Sequence, residues 1–542
     1  MRILCIIFFI ALTGRIPAQT FEWARTGSGV GQDAAQRVVA DEFGNIYVTG
    51  YFSGRAVFSG QTYIGKGAFD IFLAKYSGSG DLVWLKSAGS SQNDVSYGLA
   101  IDTFGNIYVT GYFTSSATFG EAGNTTTLSS SGNNDIFLAK YDSDGNFVWA
   151  KKAGGPGEDR AQNLTIDIYN NIYLTGYFEE RCTFGSQTAT SQGSTDAFIA
   201  QYDTAGNCHW VHSLGSSGLD KSFGVTVDSS GNSYITGFFY YAAILSNSTD
   251  TLLGDGLSSD IFICKYNPSG DVLLAERVGG YYNDAAFGIA VDKDKAIFVT
   301  GYFLEEIHFG GDCYLQNYRY NDVFVVKFDS LFNCEWANHE GGNHLDMGLD
   351  IVTDRHGNVY TTGMYDSLGI FGTDSIFGAG YYDMFICKYN NKGNLLWTQT
   401  AGGKGGDFSK SVCVRSDGVI YLAGYYKVIC SFGSIQAPQS QENDIFVTKM
   451  GQPVGVEEST TSSRKEFNIF PNPSDGRFFI DAGNWNEARV SITLMDITGK
   501  IILQQTNRTR KLIQVELRQP PGIYVMKLQT GSNSFAKRLV VF

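Results

Sequence analysis

The chain has 542 residues, among them 65 glycines and 9 prolines, and a formal net charge of −14. That length exceeds one ordinary domain, and the glycine and aromatic content suits β-structure joined by tight turns. The charge is uneven: residues 19–450 carry −20 and residues 467–542 carry +5, so the larger part repels polyanions, which argues against nucleic acid or an anionic lipid surface as its ligand.

In chain order, the first element is "MRILCIIFFIALTGRIPA" at 1–18, a basic residue followed by an apolar run and small residues. This is the pattern of a secretory signal peptide, with cleavage expected after Ala18. No second long apolar run follows, so no transmembrane segment is expected. A lone strand, "FEWARTG", comes next at 21–27. Then "GNIYVTGYF" stands at 44–52 and returns letter for letter at 105–113. Weaker copies share glycines with it at Gly176, Gly237, Gly301, Gly363 and Gly424, and the step is 61 to 65 residues. Around each copy lie three companions. A short run such as "GLAID" leads into an Asp-x-x-Gly-Asn turn, a strand begins at Asp70 or its equivalents, and a last strand carries Trp84, Trp149, Trp210, Leu274, Trp336 or Trp397.

Each unit therefore reads as four antiparallel strands, here called a to d, rich in the β-branched and aromatic residues that pleated surfaces favour. Asp, Gly and Asn supply the hairpin turns between them. Seven units fit, but the array opens with a d strand alone, bearing Trp23, and closes with a c strand alone, Asp444 to Met450. A ring resolves both ends, because the first strand completes the last sheet and removes its exposed edge. An open solenoid would want polar capping units, which the sequence does not offer. The expectation is an all-β, seven-bladed β-propeller over 19–450, closed by its N-terminal strand.

With these motifs in view, "D-x-x-GN-[IV]-Y-[VL]-TG-[YF]-F", "DIF[LI]AKY" and "G[ND][LF]VWAK" resemble the SBBP family of β-propeller repeats over roughly residues 21 to 450. The resemblance implies a fold and no single activity. Composition then changes at 451–466, "GQPVGVEESTTSSRKE", a polar linker. Several short strands follow in 467–542 and suggest a small Ig-like β-sandwich. Pro471, Asn472 and Pro473, then Asp496, Gly499 and Lys500, then Gly522 and Tyr524 resemble the type A C-terminal sorting domain of the type IX secretion system of Bacteroidota. That resemblance implies a partner, the type IX machinery engaged through 467–542. It also implies export across the outer membrane and removal of the tail.

Chemistry is harder to read. Aspartates recur in every d-to-a loop (Asp33, Asp94, Asp159, Asp220, Asp284, Asp346, Asp407) and at the head of every c strand. Seven equal carboxylates suit loop amides better than an asymmetric substrate. "HEGGNH" at His339–His344 spaces its histidines one residue too far for a zincin and reads as a solvated loop. "DSDGN" at Asp142 lacks the downstream calcium ligand and reads as a turn. Export permits disulfides, and the candidate pairs are Cys182 with Cys208 and Cys313 with Cys334. No catalytic, cofactor-binding or metal-binding residue is assigned. Where the repeat is broken, Tyr281, Tyr282, Tyr318, Arg319 and Tyr320 are the expected contacts for a glycan or protein ligand. The sequence thus favours a secreted or cell-surface scaffold or binding protein. A carbohydrate-active hydrolase or lyase is the rival class.

Overall fold

The computed structural model describes residues 19–121, 123–256 and 258–451, and in the C-terminal part 468–470, 477–481, 490–496, 500–507, 512–517, 520, 522–530 and 533–541. The signal segment and nearly all of the linker lie outside the described residues. The chain divides into two compact units, Met1–Pro453 and Val454–Phe542.

The first unit is propeller-like, and its regular elements among the described residues are all strands. Its first sheet takes Ala34–Ala40, Ile46–Phe52, Asp70–Tyr76 and Leu82–Ala88 in the order a-b-c-d, and the same antiparallel order recurs along the chain. The b strands are buried on both faces, as in "IYVTGYF" at Ile46–Phe52, because each sheet packs face to face with its neighbours. Asp102 illustrates the a-to-b turn: its carboxylate accepts the Phe104 and Asn106 amides at 2.9 and 2.8 Å and the Asn106 side-chain amide at 2.7 Å. The turn is thereby locked by its own aspartate.

The last sheet is completed by the first strand. Phe21–Gly29 pairs with Asn443–Met450, running from Phe21 opposite Met450 to Gly27 opposite Ile445. The a strands also meet in cyclic order: Ala34–Ala40 touches both Val95–Ile101 and Phe408–Val414, and the intervening a strands each touch the next. In addition, the b-to-c hairpins reach across to the preceding sheet, where Phe58 pairs with Gly27, Phe184 with Ala153 and Ile370 with Gly341.

The d strands clamp neighbouring sheets by one recurring device. A tryptophan lies on a glycine of the next c-to-d turn, and a Cβ on that glycine would come within 3.0 Å of the indole. The pairs are Trp23 with Gly80, Trp84 with Gly145, Trp149 with Gly206, Trp210 with Gly270 and Trp336 with Gly393. All five glycines have φ between 80° and 90°, so glycine serves both the turn and the close approach. Of the six junctions that meet a c-to-d turn (Trp397 faces the sheet closed by the first strand and meets none), one departs: Leu274 replaces the tryptophan and Phe332, at φ 66°, replaces the glycine. Both belong to one apolar cluster, so a larger turn residue fills what the smaller strand residue leaves.

The cysteines divide. Cys313 and Cys334 form a disulfide. Cys182 and Cys208 do not, although both are buried; the buried Tyr202 hydroxyl interacts with both thiols, which keeps them in a packed, polar arrangement of their own.

In the second unit, Asn468–Phe470, Arg477–Asp481 and Leu512–Glu516 form one sheet. Ile501–Asn507, Val490–Asp496, Gly522–Thr530 and Asn533–Val541 form another. Phe478, Ile480 and Val515 from the first sheet share a core with Ile492, Leu494 and Met526 from the second.

Candidate functional site

The recurring loop aspartates come first, because they decide whether the d-to-a face carries charge. All seven are fully buried. Asp346 accepts the Gly342 amide of its own loop at 2.7 Å and the Asp366 amide, just past strand b, at 2.8 Å. Asp220 and Asp407 make the same double contact, to Ser216 and Tyr240 and to Gly403 and Lys427. Each aspartate therefore ties the d-to-a loop to the start of the b-to-c loop. Burial pushes these carboxyls up, to about 8 for Asp33 and Asp346 and about 7 for Asp159 and Asp407, against the lowering effect of the amides. They are structural pins beneath the face.

Above them sit the residues singled out where the repeat is broken. Tyr281, Tyr282 and Tyr320 are exposed. Tyr282 bonds Glu305, whose amide donates to Asn317 Oδ1 at 2.8 Å. The Asn317 side chain donates in turn to the Tyr320 carbonyl at 2.8 Å, and the Tyr320 ring stacks on His344 at 5.7 Å. The three tyrosines thus share one end of one sheet. The side chains of Tyr318 and Arg319 lie outside the described residues.

Sequence reasoning missed the inner strands. In every a strand the register against b slips once, between Ala35 and Arg37 in the first and between Ser409 and Ser411 in the last. A bulge re-aims its extra residue. Those residues are Gln36, Tyr97, Gln162, Phe223, Phe287, Leu349 and Lys410, all partly buried and all but Gln36 between fully buried flanks on the free inner edge of the circle. One step toward the d-to-a face, Tyr51, Tyr112, Tyr177, Phe238, Tyr302, Met364 and Tyr425 cap the b strands. The signal was present in the sequence: the glycine, aspartate and tryptophan positions repeat, whereas the bulge position changes residue type almost every time.

These two tiers form an aromatic mouth. Phe223 meets Phe287 of the next sheet at 5.0 Å, and Phe408 stacks on Tyr425 at 4.9 Å. Three cations lie on the rings: Arg160 over Tyr112 at 4.3 Å, Lys221 over Tyr177 at 4.0 Å and Lys410 over Phe408 at 5.3 Å. Arg160 pairs with Glu158 at 3.0 Å, and Glu158 also accepts the Tyr177 hydroxyl at 3.1 Å.

A second departure from the repeat is Glu340. The "HEGGNH" segment is not a solvated loop at this point, because Cys334–Gly342 is a strand and Glu340 is 2% exposed. Equivalent positions hold Ala88, Ala153, Leu214, Val278 and Ala401. Glu340 accepts the Tyr389 hydroxyl and the Gly372 amide, each at 2.7 Å, and burial pushes it up to about 7. It lines a crevice of about 670 Å³ between two d strands, together with His339, Asp374 and Trp397. A smaller crevice recurs at an equivalent junction, lined by Lys86 and Phe147. The crevice is thus a feature of the junction, and Glu340 serves to satisfy the buried Tyr389.

In the C-terminal unit, Asp496 pairs with Tyr524 across neighbouring strands, and Gly522 pairs with Val541. The Tyr524 hydroxyl donates to the Pro520 carbonyl at 2.7 Å. Lys500 directly precedes the strand Ile501–Asn507. Pro471, Asn472, Pro473 and Gly499 lie outside the described residues.

With the geometry in place, comparison with known proteins is informative. Residues 83–115, from one d strand through the next a and b strands, match a beta-propeller repeat. Residues 468–542 match a secretion system C-terminal sorting domain. The chain is therefore a β-propeller repeat protein. It carries the sorting domain of a secretion system at its C-terminal end, which implies export. A similar curated protein is the uncharacterized WD repeat-containing protein L264 of Acanthamoeba polyphaga mimivirus, 25% identical over 372 residues, which are 55% of this chain and 27% of that protein. Another is the regulatory protein FlaEY of Caulobacter vibrioides, 28% identical over 180 residues, 33% of this chain and 18% of that one. The match thus spans only a minor part of each relative. Among solved structures, a puromycin hydrolase mutant complexed with PGG aligns with a TM-score of 0.38 and 11% identity, covering 84% of this chain and 58% of that one.

Proposed function

We propose that the protein is an exported binding scaffold, a seven-bladed β-propeller closed by its N-terminal strand and delivered across the outer membrane by a detachable Ig-like sandwich. The reading divides the chain into a signal peptide (1–18), the propeller (19–450), a linker (451–466) and the sorting domain (467–542). Its main support is the sorting-domain match over residues 468–542. Seven four-stranded groups in cyclic contact support the ring, and two sheets sharing one core support the sandwich. A binding role fits a face whose repeated carboxylates are all buried in loop pinning, leaving the irregular residues to confer selectivity. Tyr281, Tyr282 and Tyr320 are read as contacts at its rim, with Tyr318 and Arg319 beside them in sequence.

Export is tested by removing residues 467–542, which leaves a folded propeller in the periplasm. Fusing those residues to a foreign signal-bearing protein exports it, and the mature surface or secreted form lacks the tail, with cleavage near 451–466. Fractionation and intact-mass measurement read both outcomes. Normal surface display of the truncated chain rejects the assignment.

A further inference from the structure

We propose that the axial mouth binds an acidic saccharide, a sugar ring bearing a carboxylate, with Lys410 as the residue that receives the charge. This deepens the binding reading above and rests on it. The first observation is the irregularity of the bulge tier. A symmetrical ring needs identical packing positions, and it has them at the loop aspartates and at the d-strand tryptophans. Tyr97, Phe223 and Lys410 on its inner edge are partly buried, and their residue types differ from sheet to sheet, so the repeat does not fix them. The part of that aromatic surface left open on the inner edge can serve as a stacking platform, since the C–H face of a pyranose lies well on a ring, and the neighbouring phenols and amides supply hydrogen-bonding groups for its hydroxyls.

The second observation is the charge. The propeller as a whole carries −20, yet cations gather at this mouth. Arg160 has its partner in Glu158. Lys221 lies on the Tyr177 ring with Glu158 and Glu179 near enough to act on its charge, whereas Lys410 has only its ring contacts, and among the described residues no carboxylate lies within ion-pair distance of either. Lys410 is half-buried by accessible area but closely enclosed, and burial pushes its ammonium down to about 8. A buried charge without a counter-ion is costly, and a ligand carboxylate would supply one. A long polyanion is disfavoured by the acidic surroundings. A single charged sugar entering along the axis suffers far less of that repulsion.

The test uses the full-length protein purified with its tail and two matched pairs of probes. One pair is a galacturonate trimer and its methyl-esterified form, and the other is sialyllactose and lactose. Calorimetry is expected to find the acidic member of at least one pair bound more tightly, and the pair that responds distinguishes a uronic from a sialic source. Lys410→Met is expected to weaken the acidic probe by about tenfold to a hundredfold, the scale of a charged hydrogen bond, with the neutral probe little changed. Lys410→Arg retains most of the affinity, which separates lost charge from lost folding. Phe223→Ala weakens both members of the pair. Equal binding of acidic and neutral probes, no binding of either acidic probe at millimolar concentration, or Lys410→Met within twofold of wild type overturns the proposal. None of those results touches export, and a ligand found on a glycan array but insensitive to Lys410 leaves the binding scaffold standing with its site elsewhere.

Discussion

The exchange of Trp–Gly for Leu–Phe at one inter-sheet junction makes a quantitative prediction. Phe332 is 6% exposed and in the left-handed region at φ 66°. Replacing it with glycine removes a buried aromatic side chain, a loss of about 3–5 kcal/mol. It also relieves a backbone conformation that costs a non-glycine residue about 1–2 kcal/mol. The net expectation is a destabilisation of about 2–3 kcal/mol. Leu274→Trp alone drives a larger ring toward an occupied site and costs about 1–3 kcal/mol by overpacking. Together the two substitutions recreate the pairing seen at Trp23–Gly80 and four other junctions. The double variant is therefore expected within about 1 kcal/mol of wild type, a favourable coupling of about 3 kcal/mol in a double-mutant cycle. Denaturant unfolding of the four proteins, followed by tryptophan fluorescence and by far-UV dichroism, measures it. Strict additivity of the two single losses would refute the idea that the two residues divide one volume between them.

Other consequences follow from the ring and its buried carboxyls. Deleting residues 19–27 removes buried Trp23 and the strand paired with Asn443–Met450, so the propeller's melting temperature is expected to fall sharply and the bared edge to promote aggregation; an unchanged melting curve rejects closure by this strand. The loop and c-strand aspartates with raised values, Asp33 and Asp346 near 8, Asp159, Asp196, Asp322 and Asp407 near 7, Asp94, Asp220 and Asp444 near 6, bind more protons folded than unfolded. Their contribution is full below an unfolded value of about 3.9 and is lost as pH rises through 6 to 8. Calorimetry at pH 5 and pH 8 is expected to give the higher melting temperature at pH 5, whereas a flat or rising profile across that window contradicts the assignment of these groups.

What could be read from sequence and what could not divide along a physical line. Strand identity, hairpin turns and the pairing of Phe21–Gly29 with the last sheet were legible because they rest on local chemistry repeated in every unit, and repetition turns weak signals into a strong one. The pairing of Cys313 with Cys334 was legible as one of two candidates, but nothing in the spacing distinguished it from Cys182 with Cys208, which are buried as free thiols. Glu340 was illegible for the opposite reason. It sits in a motif-like string beside two glycines, and only the register opposite Val323 reveals that it occupies a core position held elsewhere by alanine, leucine or valine. The mouth was hidden by the bulge. Simple alternation would count Gln36, Tyr97 and Lys410 as ordinary members of a strand face, whereas one extra residue per a strand breaks the alternation at each of them. A repeat protein writes again in each unit what its sheets demand of one another, so its selectivity has to be written in the positions that packing leaves free. In this chain the bulge tier varies from sheet to sheet, and on the proposed binding reading that variation is what a ligand would read.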